Sequence, residues 1–189
     1  MLLALDIGNT NVKFGVFEED APDAPYYVPK ATWRVATEPS RLSDEYGLML
    51  NNLLLLRGIP VEKLKAVVMC SGVPPLTASF VELCQTYLGL EPLVVGAGVK
   101  TGVKVLYDSP RDVGADRIVD AVAALKLYGG PAIIVDFGTG TVFDAVSAEA
   151  EYLGGAIAPG ITIAADALFH SASQLRRVEL DRPSSSFRH

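Results

Sequence analysis

The chain contains the same short plan twice, once around Asp6 and once around Asp136. Residues 3–17 read LALDIGNTNVKFGVF, and residues 134–146 read IVDFGTGTVFDAV. In each copy an apolar run ends in the aspartate, a glycine follows two residues later, and a second apolar run begins after a polar turn. Short apolar runs bounded by such turns are typical of hairpin strands. The repeat therefore predicts two equivalent β-hairpins.

The chemistry of these hairpins suggests a phosphate ligand. A carboxylate at the end of an apolar strand is costly unless its charge is used. Glycine lets the backbone approach a ligand closely, and turn N–H groups can bind phosphate oxygens. A single Asp-x-Gly also occurs in ordinary turns. Two copies in the same context favour two hairpins that hold a polyphosphate and its cation across a cleft.

Strand-like and helix-like segments alternate along the chain, which favours an α/β fold. We predict strands at residues 2–7, 12–17, 31–36, 65–70, 92–96, 101–107, 132–137, 141–147 and 152–157. We predict helices at residues 42–57, 77–88 and 112–128, and a fourth after Pro159 to about residue 176. The apolar segment 132–137 is expected to be a buried strand. Two lobes are expected, residues 1–129 and residues 130–189.

Composition excludes several classes of function. The net charge of −6 and the pI near 4.9 argue against a nucleic-acid partner and favour a cation-bridged ligand. We expect no membrane segment, because no window approaches about 18 apolar residues. Cys70 and Cys84 lie in apolar runs without metal-binding spacing, so we expect reduced core residues in a cytoplasmic protein.

Four segments together resemble a known family: DIGNTNVK (6–13), YDSPRDVGADRIVDA (107–121), VDFGTGTVFDA (135–145) and YLGGAIAPGI (152–161). They look like type III pantothenate kinase, in the superfamily of acetate and sugar kinases, heat-shock ATPases and actin. GADR at a helix start distinguishes this family from the sugar kinases. The resemblance runs from residue 2 to about residue 180. It implies two ribonuclease-H-like (actin-like ATPase) lobes around a cleft.

The resemblance also implies a reaction and its ligands. The enzyme would use ATP to phosphorylate pantothenate to 4'-phosphopantothenate, the first step of coenzyme A biosynthesis. Mg²⁺ would accompany ATP, a monovalent cation (K⁺ or NH₄⁺) would bind separately, and the chain would form a homodimer. The alternative is a truncated, non-catalytic relative that acts as a ligand-binding or transcription-accessory protein.

Site residues carry over from the resemblance one position at a time. Nucleotide binding is implied for Asp6, Ile7, Gly8, Asn9, Thr10, Asn11, Val12, Lys13 and Thr139. Asp6 would organise Mg²⁺ through water, and Asp136 would bind the monovalent cation. Asp116 would be the general base, and pantothenate would contact Tyr107, Gly114, Ala115, Asp116 and Arg117.

From the residues alone, other interpretations stay open. Asp116 and Arg117 could be an exposed pair in a first helical turn, where the helix dipole favours aspartate. Lys13 could be a strand residue that extends its charge into water. Gly140 and Val142 depart from the Ala and Thr that the family usually shows, and Val142 lacks a hydroxyl group. The short stretch after the second hairpin also predicts an incomplete second lobe with an open sheet edge.

Overall fold

The computed structural model describes residues 1–18, 28–96 and 98–172. It contains nine strands and four α-helices within those residues, which confirms the α/β class. The strands are β1 Leu2–Ile7, β2 Asn11–Phe17, β3 Ala31–Ala36, β4 Ala66–Ser71, β5 Leu93–Val94, β6 Lys104–Val105, β7 Ala132–Phe137, β8 Gly140–Val146 and β9 Glu151–Pro159. The helices are α1 Ser43–Leu56, α2 Pro74–Leu83, α3 Ala115–Tyr128 and α4 Ile161–Ser171.

The first sheet has the strand order β3-β2-β1-β4-β5. β1 and β2 form the first hairpin in antiparallel register, with Asp6 opposite Lys13, and β1 runs parallel to β4. Side chains alternate along β1, so Leu3, Leu5 and Ile7 are buried on one face while Asp6 points to the other. This alternation keeps the carboxylate out of the core at the end of the strand.

Helices α1 and α2 supply the rest of the main core. Tyr46 and Leu50 of α1 and Phe80 of α2 are fully buried in one cluster with the inner side chains of β1 and β2. The Tyr46 and Phe80 rings are 4.7 Å apart between centroids, a spacing typical of favourable aromatic pairs. The hairpin that carries Asp6 is therefore built on a rigid support.

The second sheet has the strand order β6-β9-β8-β7. A smaller cluster forms around Ala121 of α3, Val146 of β8 and Tyr152 of β9, and Ile118 and Leu125 of α3 pack against it. The helix that starts at GADR thus packs on the second sheet through apolar side chains spaced three or four residues apart.

Most differences from the predicted elements lie at their ends. α2 begins at Pro74, because proline is favoured at the first helical position, and a π turn over Cys84–Leu88 follows it and ends at left-handed Gly89. The predicted strand 101–107 is reduced to β6. α3 starts later than predicted, since a 3₁₀ turn over Pro110–Asp112 precedes it. Residues beyond 172, where α4 was expected to continue, lie outside the described residues.

The expectation of a buried strand at 132–137 is wrong. Ile133 and Phe137 are 69% and 70% exposed, whereas Ala132 and Ile134 pack against the smaller cluster. Exposure alternates over the first residues of β7, which is an edge strand within the described residues, so only one of its faces is covered. An apolar run alone does not distinguish a strand covered on both faces from one covered on a single face.

The chain divides into two compact units. One comprises Met1–Ile134 with Asp144–Gly154, and the other comprises Val135–Phe143 with Gly155–His189. The predicted lobe boundary between residues 129 and 130 stays a prediction. None of the helices in the described ranges combines the length and apolarity that a membrane crossing needs.

Candidate active site

The turn of the first hairpin is closed by its own backbone. The Gly8 N–H donates to the Asn11 carbonyl at 3.0 Å, and a Cβ at Gly8 would stand 3.1 Å from that oxygen. The Thr37 hydroxyl of the segment after β3 donates to the Gly8 carbonyl at 2.6 Å. Ile7 and Val12 are fully buried, so only their backbone groups can contact a ligand.

Two charged groups of this hairpin meet on its exposed face. Lys13 Nζ lies 2.8 Å from Asp6 Oδ2, and the two side chains are 60% and 38% exposed. The register of β1 and β2 produces this contact because it places the two residues opposite each other. The hairpin therefore presents a carboxylate and an ammonium group to solvent within reach of one ligand.

The Cys70 thiol of β4 lies beside Asp6. Its Sγ is 3.6 Å from Asp6 Oδ1. Burial, and to a smaller extent the carboxylates of Asp6, Asp116 and Asp120, together raise the pKa of the Cys70 thiol to about 12. Three carboxylates thus act on this one thiol, which indicates that the end of β1 and the start of α3 lie close together.

Gly72 is the meeting point of the first hairpin and α3. A Cβ built on Gly72 would lie 3.8 Å from Asp116 Oδ2 and 3.9 Å from Asn9 Nδ2, and the Gly72 N–H donates to the Ile7 carbonyl at 2.9 Å. The predicted base and a predicted phosphate contact therefore flank the same glycine. A larger residue at this position would occupy the space between them.

Asp116 stands in the first turn of α3. Gly114 is the N-cap residue, and Asp116 Oδ1 accepts a hydrogen bond from the Arg117 N–H at 2.9 Å. The helix N-terminus stabilises a carboxylate here. Asp116 is nevertheless exposed and keeps Oδ2 on the side of Gly72. The position suits a carboxylate that accepts a proton from a bound ligand.

Arg117 makes a contact that the sequence did not predict. Its guanidinium binds the carboxylate of Asp144 in β8, with Nε 3.0 Å from Oδ1 and Nη2 2.5 Å from Oδ1. Tyr152 donates its hydroxyl to the same Oδ1 at 2.6 Å, and the Arg117 guanidinium lies 5.7 Å from the Tyr152 ring centroid. The signal for this cluster was present in the sequence, since Asp144 interrupts the apolar run TVFDAV.

Two other predicted substrate contacts lie in the same unit. Tyr107 is 44% exposed, and its ring would be 3.4 Å from a Cβ at Gly154, which has a φ of 117°. Ala115 lines a cavity of about 430 Å³ together with Val113, Ile118 and residues of the loop before β6. This volume lies in the range of small-molecule sites.

The second hairpin has a similarly closed turn. The Gly138 N–H donates to the Gly140 carbonyl at 2.9 Å, and the Gly160 N–H donates to the Thr139 carbonyl at 3.0 Å. Asp136 is exposed, with Oδ2 3.5 Å from a Cβ built on Gly138. The structure brings Asp6, Asn9, Lys13, Asp116 and Arg117 into one unit. Asp136 and Thr139 belong to the other unit.

The carboxylates near the first hairpin are compatible with a Mg²⁺ ion that is held largely by phosphate oxygens of a bound nucleotide. Among residues 1–18, 28–96 and 98–172, no group of three His, Cys, Asp or Glu side chains could enclose a metal. Mg²⁺ commonly binds through one or two carboxylates, with phosphate oxygens and water completing its shell. The half-exposed Asp6 carboxylate beside the hairpin turn provides that kind of ligand.

Comparison with known proteins identifies the family of this chain. A family model described as type III pantothenate kinase matches residues 2–189. The type III pantothenate kinase of Moorella thermoacetica is 52% identical over 183 residues, which cover 97% of this chain and 69% of that protein. The one from Geobacter sulfurreducens is 48% identical and is covered over 70% of its length. These relatives are longer than the present chain.

Solved structures share the fold at low identity. A protein described as a Baf family transcriptional activator from Campylobacter jejuni has a TM-score of 0.52 at 17% identity, covering 97% of this chain and 68% of that one. The Ppx/GppA phosphatase of Aquifex aeolicus has a TM-score of 0.53 at 16% identity, covering 89% and 55%. At such identities the likeness concerns the fold alone.

Proposed function

The chain belongs to the type III pantothenate kinase family, and on that basis we propose that it transfers the γ-phosphoryl group of ATP to pantothenate. The product is 4'-phosphopantothenate, and the reaction opens coenzyme A biosynthesis. The observation that carries the proposal is the position of Asp116, whose carboxylate lies with Asn9 around Gly72, beside the first hairpin. A proton acceptor next to a phosphate-binding turn is what phosphorylation of an alcohol requires.

Asp116 acts as the general base in this proposal. Its carboxylate accepts the proton of the primary hydroxyl of pantothenate as that oxygen attacks the γ-phosphorus. The bond between the γ-phosphorus and the bridging oxygen breaks, and ADP leaves. Asp116 is exposed, and its Oδ2 faces Gly72 beside the first hairpin. Both features support this role, because a proton acceptor must reach the substrate hydroxyl directly.

The first hairpin holds the nucleotide phosphates. Backbone N–H groups of Asn9 and Thr10 and the side chains of the same two residues contact phosphate oxygens. Lys13 places a positive charge where negative charge shifts during the transfer. Asp6 orients the Mg²⁺ shell through water and holds the Lys13 ammonium group at 2.8 Å. Mg²⁺ supplies neutralisation of phosphate charge when bound.

Pantothenate is held by residues at and before the start of α3. Gly114 and Ala115 provide the close-fitting backbone of the helix start, and the Tyr107 ring forms a wall of the pocket. Arg117 donates hydrogen bonds to a carboxylate or amide oxygen of the substrate. These residues belong to the same compact unit as Asp116, which supports this assignment.

The second hairpin contributes two further groups. Asp136 binds the monovalent cation, K⁺ or NH₄⁺, and Thr139 contacts phosphate. The exposure of Asp136 leaves its carboxylate accessible to an ion. The active form is a homodimer, as the family resemblance implies. The non-catalytic alternative is not favoured, because relatives about half identical to this chain bear the name of a kinase.

The test is ADP release in a coupled assay with ATP, Mg²⁺, K⁺ and pantothenate. We expect the release to require pantothenate, and Asp116→Asn to lower kcat by at least about 100-fold while nucleotide binding persists. Asp112→Asn is the matched control, since Asp112 is an exposed carboxylate just before α3. Equal turnover in wild type and Asp116→Asn would remove Asp116 from the base role.

A further inference from the structure

Asp144 is a buried carboxylate to which the proposed reaction assigns no role. Its side chain is 3% exposed, although β8 is otherwise apolar around it. A buried carboxylate is stable only with close charged or hydrogen-bonding partners. Its partners are Arg117 and Tyr152, which come from α3 and β9. Strand β8 therefore places a negative charge against Arg117, the residue after the proposed base.

The contact with Arg117 uses one defined edge of the guanidinium. Nε lies 3.0 Å from Oδ1 and 3.3 Å from Oδ2 of Asp144, and Nη2 lies 2.5 Å from Oδ1. A guanidinium has five N–H donors in a rigid plane, so a carboxylate on the Nε edge leaves the Nη1 edge for a second acceptor. The Arg117 side chain is 16% exposed, so it has little freedom to adopt another direction.

Tyr152 completes the arrangement from the side of β9. Its hydroxyl donates to Asp144 Oδ1 at 2.6 Å, and its ring lies below the Arg117 guanidinium. Burial and the neighbouring carboxylate raise the pKa of Tyr152 well above its ordinary value, so it stays a donor across the working pH range. The hydrogen bond to Asp144 likewise raises the pKa of Arg117. Both partners of Asp144 thus keep their protons.

We propose that Asp144 is a positioning residue for pantothenate that acts through Arg117. It fixes the guanidinium by the Nε edge, with Tyr152 holding the carboxylate in place, so that the Nη1 edge is presented to an oxygen acceptor of the substrate. This inference rests on the proposed function. It explains why a charge is buried in β8, and it reconciles the ion pair of Arg117 with a role in substrate binding.

The test compares Asp144→Asn with wild type in steady-state kinetics. Asparagine keeps the shape but removes the charge that fixes Arg117. We expect the KM for pantothenate to rise by about tenfold or more while the KM for ATP stays within about twofold. A merely structural role would lower the amount of active enzyme without this split between the two KM values. The KM for pantothenate of the double variant Arg117→Lys with Asp144→Asn should not exceed that of Arg117→Lys alone.

Glu151→Gln is the matched control. It removes a carboxylate from an ion pair of the same sheet, since Glu151 lies 3.2 Å from Lys104. This pair is more exposed than the pair of Arg117 and Asp144, and neither of its residues is assigned to the substrate. We expect both KM values to stay unchanged in this variant. Tyr152→Phe is the second variant, and it should raise the KM for pantothenate by a smaller factor than Asp144→Asn because it removes only one hydrogen bond.

The outcomes separate the inference from the proposed function. A wild-type chain without pantothenate-dependent turnover overturns the proposed function, and the role of Asp144 with it. An active wild type with an unchanged KM for pantothenate in Asp144→Asn overturns the inference alone. If circular dichroism shows that Asp144→Asn does not fold, Tyr152→Phe decides: a raised KM for pantothenate supports the inference, and an unchanged one overturns it.

Discussion

The carboxylate of Asp116 lies directly against Gly114, so that a Cβ at Gly114 would stand 2.4 Å from Asp116 Oδ1. Gly114 has an ordinary φ of −56°, so its backbone does not require glycine. The constraint comes instead from the side chain of the proposed base. The cap of α3 and the orientation of the carboxylate are therefore one structural feature.

Gly114→Ala is expected to displace the Asp116 carboxylate without unfolding the protein. A carboxylate can rotate away from the new methyl group, so the melting temperature should change little. The base would then point away from Gly72, and kcat should fall by at least about 100-fold. The measurement is kcat beside a thermal melt. Gly96→Ala is the control, because a Cβ there meets no atom within 4 Å. Full activity in Gly114→Ala would contradict a fixed orientation of Asp116.

Asp136→Asn is expected to weaken stimulation by K⁺. Asparagine keeps the size of the side chain but removes the charge that attracts a monovalent cation. We expect the K⁺ concentration for half-maximal activity to rise by about tenfold or more, while the melting temperature stays near that of wild type because Asp136 is exposed. A K⁺ titration of both proteins checks this. Glu149→Gln serves as the control, and an unaltered K⁺ curve in Asp136→Asn would refute the cation assignment.

Gly160→Ala is expected to destabilise the second hairpin. A Cβ at Gly160 would stand 2.3 Å from the Thr139 carbonyl oxygen and 2.4 Å from the Gly138 carbonyl oxygen. Backbone atoms cannot rotate away as a side chain can, so the cost should be about 1–3 kcal/mol, as for other overpacked sites. Denaturant unfolding measures the change. Gly138→Ala, whose Cβ would have its nearest contact at 3.5 Å, should cost less, and equal stability of the two variants would contradict the close packing.

The Cys70 thiol is expected to resist alkylation in the folded protein. Burial and the nearby carboxylates raise its pKa to about 12, so little thiolate exists at pH 8. The protonated thiol also contributes stability that is present below the unfolded pKa of about 9 and is lost as the pH rises towards 12. Iodoacetamide labelling at pH 8, read by mass spectrometry with and without denaturant, is the measurement. Rapid labelling of Cys70 in the native chain would contradict this.

Local patterns were sufficient to predict the two hairpins. Turn glycines and apolar runs specify strand pairing over short distances, so the register that places Asp6 opposite Lys13 follows from the hairpin itself. The start of α3 was displaced by the 3₁₀ turn over Pro110–Asp112, which the helical periodicity does not report.

Contacts between distant segments could not be predicted in the same way. The approach of Asp116 to Asn9 around Gly72 depends on how α3 packs, and no local spacing contains that information. The pairing of Arg117 with Asp144 is similar, since the sequence showed a charge inside an apolar strand but not its partner. The exposure of Phe137 depends on which face of β7 other elements cover, and an apolar run does not contain that information.

The most direct test of the central claim is to identify the phosphorylated product. The purified chain would be incubated with ATP, Mg²⁺, K⁺ and pantothenate, and the reaction followed by ³¹P NMR. We predict a phosphomonoester signal that grows in equal amount with ADP, requires pantothenate and is absent in Asp116→Asn. Formation of inorganic phosphate in place of the phosphomonoester, or no consumption of ATP by the folded chain, would contradict the assignment as a pantothenate kinase.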